Sequence, residues 1–176
     1  MKNTVHSALD AVYLACIWVA GLSILGMSLI IPVGVVTRYV FGFGAQWPEP
    51  IAILLMVVFT FIGAAAGYRA GAHIAVGMLT DRLPPALRAL VARAVDILML
   101  AVSLFMLWYG TKLSMETMGQ SLAALPAVPV GLTYAPVPLG GLVTLLFVLE
   151  RIVFGAQHAR AVVTYDHQVE EATVVN

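Results

Sequence analysis

The chain has 176 residues, of which 61% are hydrophobic and 10% are charged, and its formal net charge is zero. Soluble domains have roughly 45–50% apolar and about 25% charged residues, so this composition is typical of a protein that lies in lipid. A zero net charge without a basic stripe also argues against a nucleic-acid partner. We therefore expect an integral membrane protein.

Apolar stretches follow one another along the chain, at about 11–36, 48–68, 86–112 and 132–151. Each is long enough for a helix that crosses about 30 Å of hydrocarbon. Helices are expected, because strands with open edges leave backbone groups unsatisfied in lipid. The predicted fold class is an all-α integral membrane protein. It has a four-helix membrane domain over residues 1–154 and a flexible cytoplasmic tail over residues 155–176.

Prolines mark the ends of several predicted spans. Pro32 is expected to kink or end the first helix. Pro48 suits the first position of the second helix, which puts Glu49 in the first turn, where the helix dipole favours a carboxylate. The third span starts with an amphipathic stretch that we expect in the headgroup region. Pro136 and Pro138 lie in the opening turns of the fourth span.

Basic residues are distributed unequally between the two sides of a four-span topology. The side shared by both termini carries Lys2, Arg69, Arg82, Arg88, Arg93, Arg151 and Arg160. The other side carries Arg38 and Lys112. By the positive-inside rule, both termini are expected in the cytoplasm. Arg69 would then bond the last carbonyls of the second helix, and the cluster of Arg82, Arg88 and Arg93 would face anionic lipid.

The spans hold few of the groups that membrane chemistry needs. The histidines His6, His73, His158 and His167 all lie outside them, which argues against bound haem. Asp96 lies near one end of its span, where we expect it to pair with Arg93, and the other spans have no ionisable residue near mid-membrane. Phosphate-binding, zinc-binding and hydrolase motifs are absent from the sequence. We predict no enzyme activity, no cofactor and no metal.

Small residues and prolines point instead to protein contacts. Gly63 and Gly67 have the G-x-x-x-G spacing, which Gly71 continues, and such residues let helices approach closely. The contact is either with the chain's own helices or with another membrane protein. Between Glu116 and Glu150 lie 33 uncharged residues, and their proline-broken early part either dips into the interface or is covered by a partner.

Several other residues have both a structural and a functional interpretation. Arg38 and Glu49 flank the loop between the first two spans, so they could pair or could contact a partner. Tyr39 and Trp47 suit the aromatic belt at the headgroup level. His73 could be a hydrogen-bonded residue at a helix end, a pH sensor or a partner contact.

Two stretches carry a family resemblance. The first, "TRYVFGFGAQWPEP", contains Arg38, Tyr39, Trp47 and Glu49. The second, "FIGAAAGYRAGAHIAV", contains Gly63, Gly67, Tyr68, Arg69, Gly71 and His73, and looser matches follow at Pro129, Tyr134 and Pro138. In these residues the chain resembles the small membrane subunit of tripartite ATP-independent periplasmic (TRAP) transporters, the DctQ-like family. It departs from the family at Pro50, where a second acidic residue is frequent, and at Gly131-Leu132, where an aromatic pair is common.

The resemblance implies a place in the inner membrane of a bacterium or archaeon. It also implies two partners, a large multi-spanning TRAP subunit and a periplasmic solute-binding protein. In such transporters the binding protein captures an organic acid or related solute, and the large subunit imports it with a sodium gradient. The small subunit supports the large one. A membrane anchor of a respiratory enzyme and a stand-alone small transporter are the alternative interpretations.

Overall fold

The computed structural model of the protein describes residues 2–42, 44, 46–71 and 84–155, with side chains from Val5 onward. Its elements, in chain order, are α1 (Lys2–Tyr39), α2 (Pro48–Arg69), α3 (Pro85–Glu116), β1 (Ser121–Leu122), β2 (Leu125–Pro129), α4 (Val130–Tyr134) and α5 (Pro136–Phe154). Four segments are long and apolar enough to cross a membrane: Val5–Tyr39, Pro48–Arg69, Pro85–Glu116 and Val130–Phe154. The predicted all-α membrane fold is confirmed. The tail over residues 155–176 was predicted to be flexible. Apart from Gly155, these residues lie outside the part of the chain that the structure describes.

Helix α1 is longer than its apolar run. Pro32 was expected to kink or end the helix; it does not end it, and a kink there stays a prediction. The helix continues through Pro32 to Tyr39. Past the proline, the Thr37 hydroxyl donates to the carbonyl oxygens of Val33 (2.9 Å) and Gly34 (3.0 Å). Gly34 also lies so close to α2 that an added Cβ would be 2.9 Å from Pro48. These contacts lie after the proline, and that of Gly34 with Pro48 joins the last turns of α1 to the beginning of α2.

The membrane helices are arranged as a row. Helix α1 packs along α2, α2 packs against α5, and α5 packs against α3. Within the described residues, α1 and α3 form the two edges of the row and do not pack along each other. The central buried residues are Ala65 and Tyr68 of α2 and Phe147 and Val148 of α5. The most buried hydrophobic side chains of the described residues therefore lie at the contact between α2 and α5.

Two neighbouring glycines allow α5 to lie close to helices on both of its sides. A Cβ added at Gly140 would be 2.7 Å from the Cβ of Phe61 on α2. A Cβ added at Gly141 would be 2.9 Å from the backbone nitrogen of Leu107 on α3. Because a side chain at either position would collide with its neighbour, the two glycines set the close spacing of the middle of the row.

The proline-broken stretch before the last span forms a short hairpin. Strands β1 and β2 pair antiparallel, with Leu122 opposite Leu125 and Ser121 opposite Pro129. The hydroxyl of Ser114 on α3 donates to the carbonyl oxygen of Gly131 at 2.7 Å, which ties the base of the hairpin to α3. The sequence predicted a segment with broken helical structure here but not the strands. Whether lipid or a partner covers it stays a prediction.

Candidate functional site

A buried ion cluster joins three helices at one end of the row. Arg69, the last residue of α2, donates from Nε and Nη2 to the two carboxylate oxygens of Glu150 on α5, at 2.7 and 2.8 Å. Its Nη2 also donates to Asp10 Oδ1 of α1 at 2.5 Å. The side chains of Arg69 and Glu150 are 5% and 0% exposed, and that of Asp10 is 25% exposed. One guanidinium thus bonds to carboxylates on both neighbouring helices.

Aromatic rings surround this cluster. The guanidinium carbon of Arg69 lies 5.1 Å from the ring centroid of Tyr13 and 5.2 Å from that of Phe147. His6 stacks on Phe154, with ring centroids 4.6 Å apart. A cation over aromatic faces is stabilised by the ring quadrupoles, most strongly where water is excluded. The shared cation of the cluster is therefore in contact with aromatic rings as well as with its two carboxylates.

His6 brings one more polar group toward the same carboxylate. Its Nδ1 atom lies 3.6 Å from Oε1 of Glu150, and this atom is buried without a hydrogen-bond partner among the described residues. Together with Asp10, it extends the cluster along the first turns of α1. The beginning of α1 is thus engaged by the ends of two other helices.

A second ion pair lies at the same end, and it corrects one expectation. Asp96 does not pair with Arg93 on its own helix, because Nε of Arg151 lies 2.9 Å from Asp96 Oδ1. Arg151 also lies 5.7 Å from the ring centroid of Tyr68. A contact between helices α3 and α5 replaces the predicted contact within α3. Arg93 and Arg88 are exposed, as a role at the lipid headgroups requires, although that role is untested.

The expectation that Arg69 bonds the last carbonyls of α2 is wrong. Those carbonyls accept backbone bonds instead, Ala66 from Ala70 N (3.0 Å) and Tyr68 from Gly71 N (3.1 Å). Gly71 has φ +70°, a left-handed conformation that glycine adopts without steric cost. The helix end is satisfied by the chain itself, which leaves the Arg69 side chain available for the carboxylates. His73 and Arg82 lie outside the described residues.

The opposite end of the row carries the other predicted pair. Arg38 Nη2 donates to Glu49 Oε1 at 3.1 Å, with side chains 51% and 73% exposed. Tyr39 is 79% exposed and Trp47 is 39% exposed, so neither side chain is enclosed by this chain. Arg38 and Glu49 also border a groove of about 750 Å³ between α2, the hairpin and the start of α5. The ion pair between Arg38 and Glu49 is therefore present in the structure. A contact of these residues with a partner stays a prediction.

The remaining predicted residues have the following positions in the fold, and their contacts with a partner stay a prediction. A Cβ added at Gly63 would lie 3.7 Å from the Cβ of Ala20 on α1, so Gly63 contacts the chain's own first helix. Gly67 is half-buried near the end of the same helix. Pro129 pairs with Ser121 in the hairpin, and Pro138 of α5 packs against Gly110 of α3. Tyr134 is 37% exposed and borders the groove.

Sequence reasoning missed Asp10 and Glu150 as partners of Arg69. They are 59 and 81 residues away from it along the chain. A signal was present, since all three ionisable residues lie at predicted span ends on the same side of the membrane. Among the described residues, no group of three or more histidine, cysteine or acidic side chains is arranged to hold a metal ion.

Known proteins resemble this chain along most of its length. The family described as "Tripartite ATP-independent periplasmic transporters, DctQ component" matches residues 27–158. A TRAP transporter small permease protein of Haemophilus influenzae is 26% identical over 153 residues, which cover 87% of this chain and 92% of the relative. The ectoine TRAP transporter small permease protein TeaB of Halomonas elongata is 28% identical over 144 residues, 81% of this chain and 71% of the relative.

Proposed function

The chain belongs to the DctQ component family of TRAP transporters, and we propose that within such a transporter it scaffolds the large membrane subunit. Small permease subunits of this family are non-catalytic transport components, so the chain is a transport protein and not an enzyme. It is a multi-pass protein of the inner membrane. We infer that this subunit contributes to transport by supporting the large membrane subunit.

The main support for a scaffolding role is the buried ion cluster. Arg69 donates hydrogen bonds to both Glu150 and Asp10 within the chain, and Arg151 forms a second ion pair with Asp96. Charged groups that move ions or solutes through a membrane have to change partners. These charges hold helices together, which suits a support better than a carrier.

The proposed partners are a large multi-spanning TRAP subunit and a periplasmic solute-binding protein. Large apolar side chains remain exposed on both edge helices, including Leu25 (61%) and Leu29 (69%) of α1 and Phe105 (61%) and Trp108 (73%) of α3. Surfaces of this extent are available to lipid and to other membrane helices alike. The partnership is supported by the family to which the chain belongs.

We further propose sodium-coupled import of an organic acid or a related solute. The Halomonas relative is named for ectoine, and its 28% identity leaves the solute of the present transporter open. We assign selection of the solute to the binding protein and the large subunit.

Purification of the tagged chain in a mild detergent, followed by mass spectrometry, tests the scaffolding role. A large multi-spanning permease in stoichiometric amount is the expected companion. Purification of the chain alone, from membranes that contain the permease, would contradict the role, provided that chemical crosslinking before extraction also captures no permease.

We also propose that the face of α2 around Gly67 contacts the large subunit, and a substitution at Gly67 tests this contact. Gly67→Leu should abolish co-purification and solute uptake while the chain still inserts, because the larger side chain prevents close helix approach. Gly21→Leu is the matched control, since the space around an added Cβ at Gly21 is open within the described residues. Unchanged uptake by the Gly67→Leu variant would show that this face does not carry the contact.

A further inference from the structure

The beginning of α1 is held against the end of α5 by side chains alone. The two helices do not pack along each other in the described residues, yet their rings meet. Tyr13 and Phe147 have ring centroids 6.4 Å apart, and His6 and Phe154 have centroids 4.6 Å apart. The Arg69 side chain, which comes from α2, lies between these helices and bonds to both. The contact of α1 with α5 therefore combines these rings, the apolar side chains of Leu9 and Val12 and a charged residue of a third helix.

In the contact between α1 and α5, Arg69 supplies the positive charge that two carboxylates share. Asp10 and Glu150 both carry negative charge, and Arg69 is the only cation among the described residues that contacts both of them. Without the guanidinium, two carboxylates in a poorly hydrated place would repel each other and lack a counter-charge. Loss of Arg69 thus adds a repulsion between the carboxylates of α1 and α5, against which only the contacts of the apolar and aromatic side chains remain.

The rest of α1 is fixed in another way. An added Cβ at Gly26 would lie 2.9 Å from Leu55 Cδ1, and one at Gly34 would lie 2.9 Å from Pro48. Ala20 meets Gly63 in the same interface. These close contacts join α1 to α2 over its middle and far end and involve no charge. They should survive when the ion cluster is broken.

We propose that Arg69 is a latch for the N-terminal end of α1. It holds the segment Val5–Tyr13 against α5, and its removal lets this segment move away while the remainder of α1 stays packed on α2. The latch is a property of this chain by itself. It does not rest on the transport role, so the two can fail independently.

Distance measurements between spin labels test the latch. One label is placed at Ser7 on α1 and the other at Val153 on α5, both exposed positions beside the cluster, in a Cys16→Ala background. The full chain in lipid nanodiscs should give one narrow distance distribution. In the Arg69→Met variant we expect the narrow peak to be lost to longer and broader distances.

Two controls distinguish a latch from a general loss of structure. Labels at Leu29 and Met56, both exposed, report on the contact of α1 with α2 and should give the same distance with and without Arg69→Met. Arg151→Met breaks the neighbouring pair between α5 and α3 and should leave the Ser7–Val153 peak narrow. An unchanged Ser7–Val153 peak in Arg69→Met overturns the proposal. Loss of the Leu29–Met56 distance, or loss of the Ser7–Val153 peak in Arg151→Met, overturns it as well.

Discussion

At the scale of single residues, burial decides how much a charge matters. Arg69 is 5% exposed and bonds to two carboxylates, whereas Arg38 is 51% exposed and bonds to one. Removal of one partner of a buried pair leaves an uncompensated charge, which typically costs about 3–5 kcal/mol. We expect Arg69→Met to lower the free energy of unfolding by about this amount. Chemical denaturation of the purified chain in mild detergent measures the change.

The exposed pair of Arg38 and Glu49 serves as the comparison for the unfolding measurement on Arg69→Met. Surface pairs contribute about 0–1 kcal/mol, so Arg38→Met should change the unfolding free energy by no more than this. If Arg69→Met and Arg38→Met lowered the free energy of unfolding equally, burial would not decide how much these two arginines contribute to stability.

Asp96 offers a test of the assumption that this chain couples no ion. Its carboxylate is occupied by Arg151, which is 32% exposed and can reach water when the carboxylate is lost. We therefore expect Asp96→Asn to leave the sodium dependence of solute uptake unchanged. Uptake by the complete transporter, measured against external sodium concentration, checks this. A changed number of sodium ions per solute would assign Asp96 to the coupling mechanism.

At the scale of helices, the glycines differ in how closely the neighbouring helix approaches them. An added Cβ at Gly140 would meet the Phe61 Cβ at 2.7 Å and its carbonyl oxygen at 2.9 Å, whereas one at Gly63 would be in ordinary contact at 3.6–3.7 Å. We expect Gly140→Ala to destabilise the chain by about 1–3 kcal/mol, as overpacking does, and Gly63→Ala to be tolerated. Thermal unfolding of both variants measures the difference. Greater damage from Gly63→Ala would contradict the packing of α1 on α2 described above.

The helices themselves could be predicted from the sequence because hydropathy acts locally. Each apolar run exceeds the length that lipid requires, and Pro48 and Pro85 begin helices as their missing N–H groups allow. The path of α1 through Pro32 could not be predicted, since it depends on contacts with α2. The hairpin was missed for a similar reason. Its register depends on the tie between Ser114 and Gly131, which lie 17 residues apart.

At the scale of the whole molecule, orientation is the next property to test. Seven basic residues lie on the side of the termini and two on the other, which favours cytoplasmic termini. Green fluorescent protein fused to either terminus should fluoresce, and alkaline phosphatase fused there should be inactive. Dark green fluorescent protein fusions together with active alkaline phosphatase fusions would place the buried ion cluster on the periplasmic side.

The candidate site could be predicted only in part. Arg69 stood out in the sequence because the chain has few charged residues and this one follows a long apolar run, but its partners belong to the first and last spans. Only the packing of α1 and α5 around α2 brings Asp10 and Glu150 to it. Arg38 and Glu49 were easier to predict, since they are 11 residues apart across a short loop.

The arrangement of the helices in a row has a consequence for permeation. A pore inside a single chain needs helices that close into a ring around a lumen. In the described residues α1 and α3 remain at opposite edges and do not close one. A solute that moved along this chain would have protein on one side and lipid on the other. Any water-filled path in the transporter must therefore be walled, at least in part, by another polypeptide.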